Sequence, residues 1–465
     1  MSGSFRIDNP YSGETVAERR FLSPAEIDGV VARAARAQSE WARTSVADRV
    51  ALCERFCAAF EQDGERIATE ITRQMGKPLQ QARGEVKTAL VRARHMMSIA
   101  PQALADEPLP ALPGFTRFIR HQPLGVVLDI SAWNYPLLIT VNVVVPAVLA
   151  GDSVLVKHAM RTALCGEAFE RAFANAGAPD GLVTAVHADH EVCARIIARP
   201  EIGYVSFTGS VRGGHEIYRE VSGRFIDAGL ELGGKDPAYV APDADLDHAI
   251  VNLVDGAFYN AGQSCCGIER IYVHRSLYDR FLEGAVAEVR KLCMGDPMEA
   301  ATTLGPMAQP GAPEKLEAQV EEARAKGGRV LCGGRPVKVS GKGRFFDPCV
   351  VADATHQMQG LMIEESFGPI VGIAKVADDD EAVRLMNDSP YGLTAAIWTR
   401  DPERAVRIGA QIETGTFFMN RCDYLDPALP WTGVKDSGKG NSLSRYGFLS
   451  LTRRKSFHLR TQTAI

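Results

Sequence analysis

Residues 125–157 read GVVLDISAWNYPLLITVNVVVPAVLAGDSVLVK, and the class of fold is decided there. Val126 to Ile130 and Ser153 to Val156 are short apolar runs rich in β-branched residues, as buried strands are. Pro136 to Ala150 is the longest apolar run of the chain, yet Asn142 and Pro146 interrupt it and it is too short to cross a bilayer. Two more runs follow, Leu182 to Val186 and Tyr204 to Phe207, with helical sequence between them. Strands alternating with helices at this spacing form parallel βαβ units, so a doubly wound α/β sheet is expected. A dinucleotide lies across the carboxyl ends of such strands. No GxGxxG follows the first strand, so a site there departs from the ordinary Rossmann fingerprint.

Upstream, Pro24 to Trp41 carries Ile27, Val30, Val31 and Ala34 at helical spacing, with Ser23-Pro24 as a start signal. A second helix is predicted from about Val46 to Gln74, stopped by Gly76 and Pro78, and a third over roughly Gln81 to Ile99. These read as scaffold. Pro101 to Pro113 is proline-rich and reads as a connector, and Phe115 to Gln122 alternates as a strand does. The tail Arg454 to Thr461 is strand-like as well. Beyond Glu231 a second α/β region is expected. Its strands fall at Pro237 to Val240, Ile271 to Val273, Arg329 to Leu331, Phe346 to Val351, Ile370 to Val376, Ala395 to Trp398 and Thr416 to Met419.

The 465 residues suffice for two or three domains, and 46% hydrophobic with 23% charged residues is an ordinary globular composition. A net charge of −5 supplies no basic field for nucleic acid or an anionic membrane, so neither is expected as a partner. Ten cysteines are scattered without a CxxC pair, so neither a disulfide framework nor a metal site is expected. The opening MSGSFRIDNPYSG lacks the basic and apolar regions of a secretory signal, and a soluble, cytoplasmic protein is expected.

Three stretches bring together the groups that acyl chemistry through a thioester needs: GQSCC at 262–266, ELGGK at 231–235 and WNYP at 133–136. A thiolate is an intrinsically reactive nucleophile, a glutamate can act as general base toward water, and an asparagine amide can donate to an oxyanion. With FTGS at 207–210 and EESFGP at 364–369, these strings resemble, in order and over essentially the whole chain, the motif set of the aldehyde dehydrogenase superfamily.

The resemblance implies two α/β domains with doubly wound sheets and a small β oligomerisation arm. Residues 1–107 with 124–230 would bind the dinucleotide, 231–440 would carry the nucleophile, and 108–123 with 441–465 would form the arm of a homodimer or homotetramer. It implies oxidation of an aldehyde to a carboxylic acid with NAD or NADP. Cys265, fourth in the GQxC pattern, is the implied nucleophile, Glu231 the base for thioester hydrolysis, and Asn134 the oxyanion donor. Trp133, Lys157, Gly209, Ser210, Gly214, Leu232, Glu365 and Phe367 are the implied coenzyme residues. Tyr135, Asn142, Ser264, Arg421, Asp423, Leu425 and Trp431 fall where the family lines its substrate pocket.

Two departures bear on this. Met160 stands where many members carry a Glu that binds the adenine ribose and repels a 2′-phosphate, so NADP is admissible and Arg161 is a candidate to assist it. Val143 and Ser442 stand where some hydrolytic members carry the Lys and Glu of a proton relay. Two other readings compete: acylation of coenzyme A, which retention of Glu231 disfavours, and a catalytically idle binding or structural protein.

Overall fold

The computed structural model describes residues 3–462. Val126–Ser131 is buried at every position and forms the middle of a six-stranded sheet. The order across that sheet is Gly438–Lys439, Asp227–Glu231, Ile202–Thr208, Val126–Ser131, Ser153–His158, Val183–Ala185, and every pairing but the first is parallel. Both faces are covered by helices, which is why these strands read as continuous apolar runs. The chain runs outward in one direction from Val126–Ser131 and later returns to its other side at Ile202–Thr208. The carboxyl ends of these two neighbours therefore flank the topological switch point, where a doubly wound sheet leaves a crevice. WNYP begins two residues past the first end and Gly209-Ser210 follows the second.

A seven-stranded sheet forms the second layer system, ordered Arg329–Cys332, Cys349–Ala352, Ile370–Val376, Ile268–His274, Asp236–Val240, Thr394–Trp398, Thr416–Met419. All its pairings are parallel except the first. A three-stranded ribbon joins Glu107–Pro108, Phe115–Pro123 and Thr452–Arg460, with Thr452 opposite Pro123 and Arg460 opposite Phe115.

The structure corrects several local expectations. The helix over 46–74 is two helices, Val46–Gln62 and Gly64–Met75. Asp63 and Gly64 are poor helix formers, and the Asp63 carboxylate is held by Arg66 and Arg171 at the break. The helix Leu79–Ala103 runs through Pro101, because burial of Met96, Met97 and Ala100 carries its last turns into the core. The strand over 346–351 is interrupted at Asp347-Pro348, and Lys342–Phe346 turns away to pair with Pro336–Val339. The tail is not wholly an arm either. Gly438–Lys439 extends the first sheet, and the helix Ser444–Ser450 packs on the helices Leu79–Ala103 and Pro136–Ala150. Only Thr452–Arg460 belongs to the ribbon, and residues 463–465 of the expected arm lie outside the described residues.

Candidate active site

The helix Leu246–Phe258 ends in a turn whose residues Asn260, Ala261 and Gly262 have φ of 54°, 55° and 66°. Left-handed backbone is costly for Asn and more so for Ala, and it persists only where surrounding contacts over-determine it. Here Asn260 Nδ2 donates to the carbonyls of Asn134 and Gln263, both at 3.1 Å. Gln263 Nε2 returns a bond to the Asn260 carbonyl at 3.0 Å, while its Oε1 accepts from the Ala308 N–H at 2.9 Å. A Cβ on Gly262 would sit 2.3 Å from the Gly368 carbonyl, so only glycine lets GQSCC lie against EESFGP. The turn delivers a half-buried Cys265 and a buried Cys266.

Cys265 and Glu231, 34 residues apart in sequence, face one cavity of about 270 Å³. Tyr135, Asn142, Asp423, Leu425 and Trp431 share its wall. Ser264 does not reach the wall: it is buried behind it, with its hydroxyl donating to Asp423 at 3.2 Å. Arg421 is also elsewhere, exposed, with its guanidinium 3.7 Å from the Tyr424 ring centroid, so it holds neither a ligand in the cavity nor Asp423. Asp423 accepts the Cys266 thiol proton at 2.9 Å, and burial pushes its carboxyl up to about 6. A hydrogen bond with Cys265, then burial and the Asp423 charge, push the Cys266 thiol well above the usual thiol range. Cys266 lines the cavity as well, but it is thereby tied down as a thiol.

Glu231 ends the strand Asp227–Glu231 and is buried enough that its carboxyl is pushed above the ordinary range. Its one side-chain partner among the described residues is Ser442, whose hydroxyl donates to Oε1 at 2.6 Å. Ser442 is held by paired backbone bonds with Trp431, 2.8 Å and 3.0 Å. The position lacking a relay carboxylate thus supplies a hydroxyl to Glu231 instead. Asn142, Val143, Glu231 and Ser442 also border a second small cavity of about 20 Å³, room for a water molecule. The Ser442 bond favours the ionised carboxylate, so Ser442→Ala is expected to raise the Glu231 pKa further. The rising limb of turnover against pH then shifts to higher pH; a limb that stays put would detach Ser442 from the base.

Sequence reasoning missed what holds Asn134. The buried Lys77 donates to the Asn134 carbonyl at 2.8 Å and pairs with the buried Glu85. Glu85 in turn accepts the N–H groups of Leu137 and Leu138, fixing the start of the helix that follows WNYP. The backbone of Asn134 is clamped from two sides, while no protein hydrogen bond engages its side-chain amide among the described residues. Gly76-Lys77-Pro78 was the available signal, a lysine inside a turn where only the stop was noticed.

The crevice at the switch point suits a dinucleotide. Ser210 caps the helix Val211–Ser222, its hydroxyl accepting from the Gly213 N–H at 3.2 Å, and the first-turn N–H groups of such a helix receive phosphate. Cβ atoms on Gly209 and Gly213 would lie 2.6 Å and 2.7 Å from the Phe207 ring, and one on Gly214 would lie 2.7 Å from Leu232. Gly209 and Gly213 make room for the Phe207 ring, and Gly214 lets the helix sit close to ELGGK. Lys157 lies next to the carboxyl end of Ser153–His158 with no protein partner among the described residues. Trp133 meets Phe367 edge to face at 5.5 Å, joining WNYP to EESFGP. Glu365 accepts from the Gly234 N–H at 3.1 Å, and burial together with the Glu269 charge pushes it up to about 7. A buried Lys235–Glu269 pair was also missed in the sequence; its Glu269 carboxylate accepts the Ser366 and Phe367 N–H groups at 2.8 Å and 2.9 Å and so shapes that loop. Met160 is half-exposed and offers no carboxylate. Arg161 is not available to a 2′-phosphate: its Nη1 donates to the Asp8 carbonyl and carboxylate at 2.8 Å and 2.7 Å.

A half-buried thiol and a partly buried carboxylate share one cavity beside the crevice of a doubly wound sheet, the arrangement of an α/β enzyme site. Residues 1–457 match the aldehyde dehydrogenase family, and the chain belongs to it. It is an enzyme that oxidises an aldehyde with NAD(P). The chain is 36% identical over 452 residues to a succinate-semialdehyde dehydrogenase [NADP(+)] of Deinococcus radiodurans, covering 97% of this chain and 94% of that one. An equally titled enzyme of Mycobacterium avium is 34% identical, covering 96% and 95%. Among solved structures, an NAD-dependent aldehyde dehydrogenase from Sinorhizobium meliloti superposes with a TM-score of 0.96 at 30% identity, covering 100% of this chain and 92% of that one. No helix among the described residues is long and apolar enough to cross a membrane.

Proposed function

We propose that Cys265, Glu231 and Asn134 carry the reaction, and the shared cavity of Cys265 and Glu231 is the observation that supports this. The Cys265 thiolate adds to the aldehyde carbon, and the free amide of Asn134 with the Cys265 backbone N–H receives the resulting oxyanion. A coenzyme held in the crevice would supply the hydride acceptor, and loss of hydride from the adduct leaves a thioester on Cys265. Glu231 then takes a proton from water, the hydroxide attacks the thioester carbonyl, and the carboxylic acid departs as Cys265 recovers its thiolate. Ser210, Lys157 and Gly209 hold the phosphates and ribose on this reading, and Glu365, Phe367 and Trp133 the nicotinamide end. Gly214 and Leu232 keep the helix and loop in register. Asn134→Ala removes one oxyanion donor and is expected to cost roughly 10²–10³ in kcat. Turnover of the variant under saturating aldehyde checks it.

The named relatives extend the reading to a carboxylated semialdehyde, succinate semialdehyde, and to NADP, which Met160 does not repel. The exposed ribbon of Phe115–Pro123 and Thr452–Arg460 is the surface through which homodimers or homotetramers form. Ten free thiols suit a reducing compartment, and the cytoplasm is the proposed location. The test is reduction of NAD and of NADP with succinate semialdehyde and with uncharged aldehydes, each with and without coenzyme A. Oxidation that needs no coenzyme A is the expected result. Strict dependence on coenzyme A would replace hydrolysis by acyl transfer, and silence with every aldehyde would favour an idle scaffold.

A further inference from the structure

The helix Leu79–Ala103 turns Gln81, Glu85, Thr88 and Arg92 toward the cavity, residues spaced by 4, 3 and 4 and hence on one face. Arg92 is the anomaly. It is 5% exposed, yet no carboxylate pairs with it among the described residues. Glu85 is spent on Lys77 and on two backbone N–H groups, Glu231 on Ser442, and Asp423 on Cys266 and Ser264. Only Nη1 of Arg92 has protein acceptors, the Leu138 carbonyl at 3.4 Å and Asn142 Oδ1 at 3.3 Å, and Nε has none. A guanidinium stays charged in a protein, and a buried, unpaired charge is among the most expensive things a fold can hold. The bond to Asn142 also orients that amide: with Oδ1 turned to Arg92, its NH₂ is left as a further donor without a protein partner among the described residues.

We propose that Arg92, with the Asn142 amide, is the receptor for a carboxylate at the far end of the aldehyde substrate. The arrangement rests on the reading above that this cavity holds the aldehyde against Cys265. A planar guanidinium matches a carboxylate by paired, charge-assisted hydrogen bonds, and the substrate supplies the counter-ion the fold withholds. A single unpaired cation matches a monoanion, which selects a carboxylate over a phosphate ester. The opposite demand also follows: an uncharged aldehyde leaves Arg92 buried without a partner, so the same residue rejects it.

The test compares kcat/KM for 4-oxobutanoate and for butanal, which share a four-carbon chain and differ in the terminal carboxylate. Wild type is expected to favour 4-oxobutanoate. In Arg92→Met the ratio of the two values should fall about 10²-fold, and in Arg92→Lys by less, because a lysine restores charge without the fork. Because the ratio is taken within one protein, loss of folded enzyme cancels from it. Succinate, which cannot be oxidised here, should raise the melting temperature of wild type and inhibit its oxidation of butanal competitively, both effects weakening in Arg92→Met. A wild type that prefers butanal, or that succinate neither stabilises nor inhibits, overturns the proposal while leaving the Cys265 chemistry intact. An unchanged ratio in Arg92→Met does the same, as does preference for a phosphorylated aldehyde. Loss of the Cys265 chemistry itself reads differently, since it abolishes both substrates together.

Discussion

Replacing Cys265 by alanine is expected to abolish aldehyde-dependent reduction of NAD(P), with kcat/KM falling by roughly 10⁴ or more, as when a nucleophile is removed from a covalent mechanism. The loss should be this complete because nothing in the cavity can substitute. Two other thiols line the cavity: Cys422 donates to the Asn252 carbonyl and burial pushes it far up, while Cys266 donates its proton to Asp423 at 2.9 Å and is held protonated by Cys265, by burial and by that carboxylate. Glu231 is already committed to Ser442 and is a poor nucleophile toward an aldehyde. Coenzyme binding should survive, since Ser210, Glu365 and the Trp133–Phe367 contact lie on other segments. The measurement is therefore double: a coenzyme titration followed by fluorescence, and turnover with a substrate on which wild type is fast. A variant that binds coenzyme but does not turn over is the expected outcome. Retained turnover would move the nucleophile to Cys266, and alkylation kinetics of the two adjacent thiols would then be reversed from the order expected here.

Much of this site could be read in the sequence because its parts are loops at the ends of regular elements. WNYP and FTGS follow strands whose apolar runs mark them, so their place at the switch point follows once the strand order is that of a doubly wound sheet. The illegible parts are contacts between segments far apart in the chain. Lys77 reaches Asn134, Lys235 reaches Glu269, and Ser442 reaches Glu231, and no local periodicity announces any of these pairs. Arg92 shows why a helix face can mislead: read along the chain it is one more charged residue of an amphipathic helix, and only burial distinguishes it from Lys87 or Arg94. Arg421 failed in the opposite sense. Its position suggested a pocket cation, but Asn420 and Asp423 have φ of 55° and 48°, and the twisted segment turns Arg421 out onto Tyr424 while Asp423 faces inward. Arg161 likewise answers to Asp8, a residue 153 positions away, rather than to the neighbouring crevice.

Glu231→Gln separates the two halves of the reaction. On the mechanism proposed above, addition to the aldehyde and hydride loss require Cys265 and Asn134, whereas hydrolysis of the thioester requires a base for water. The variant is expected to form about one equivalent of NAD(P)H per site in a rapid burst and then to turn over roughly 10²–10⁴ more slowly, the range attributed to a positioned general base. Intact-mass measurement after the burst should find the acyl group retained on Cys265. The pH dependence follows from the buried environment of Glu231. Burial raises its pKa above the ordinary carboxylate value of 4.5, and only the ionised form accepts a proton. Wild-type turnover should therefore rise with pH along a limb displaced above the usual carboxylate range, and that limb should vanish in the variant. Stability responds with the opposite sign. A carboxyl whose folded pKa is raised contributes stability in full below its unfolded pKa, and loses it as pH rises through the folded one. Glu231→Gln, which cannot ionise, should thus gain melting temperature relative to wild type as pH increases across that window. A variant with no burst and no retained acyl group would place Glu231 before the thioester rather than after it, and its role would then be to activate Cys265.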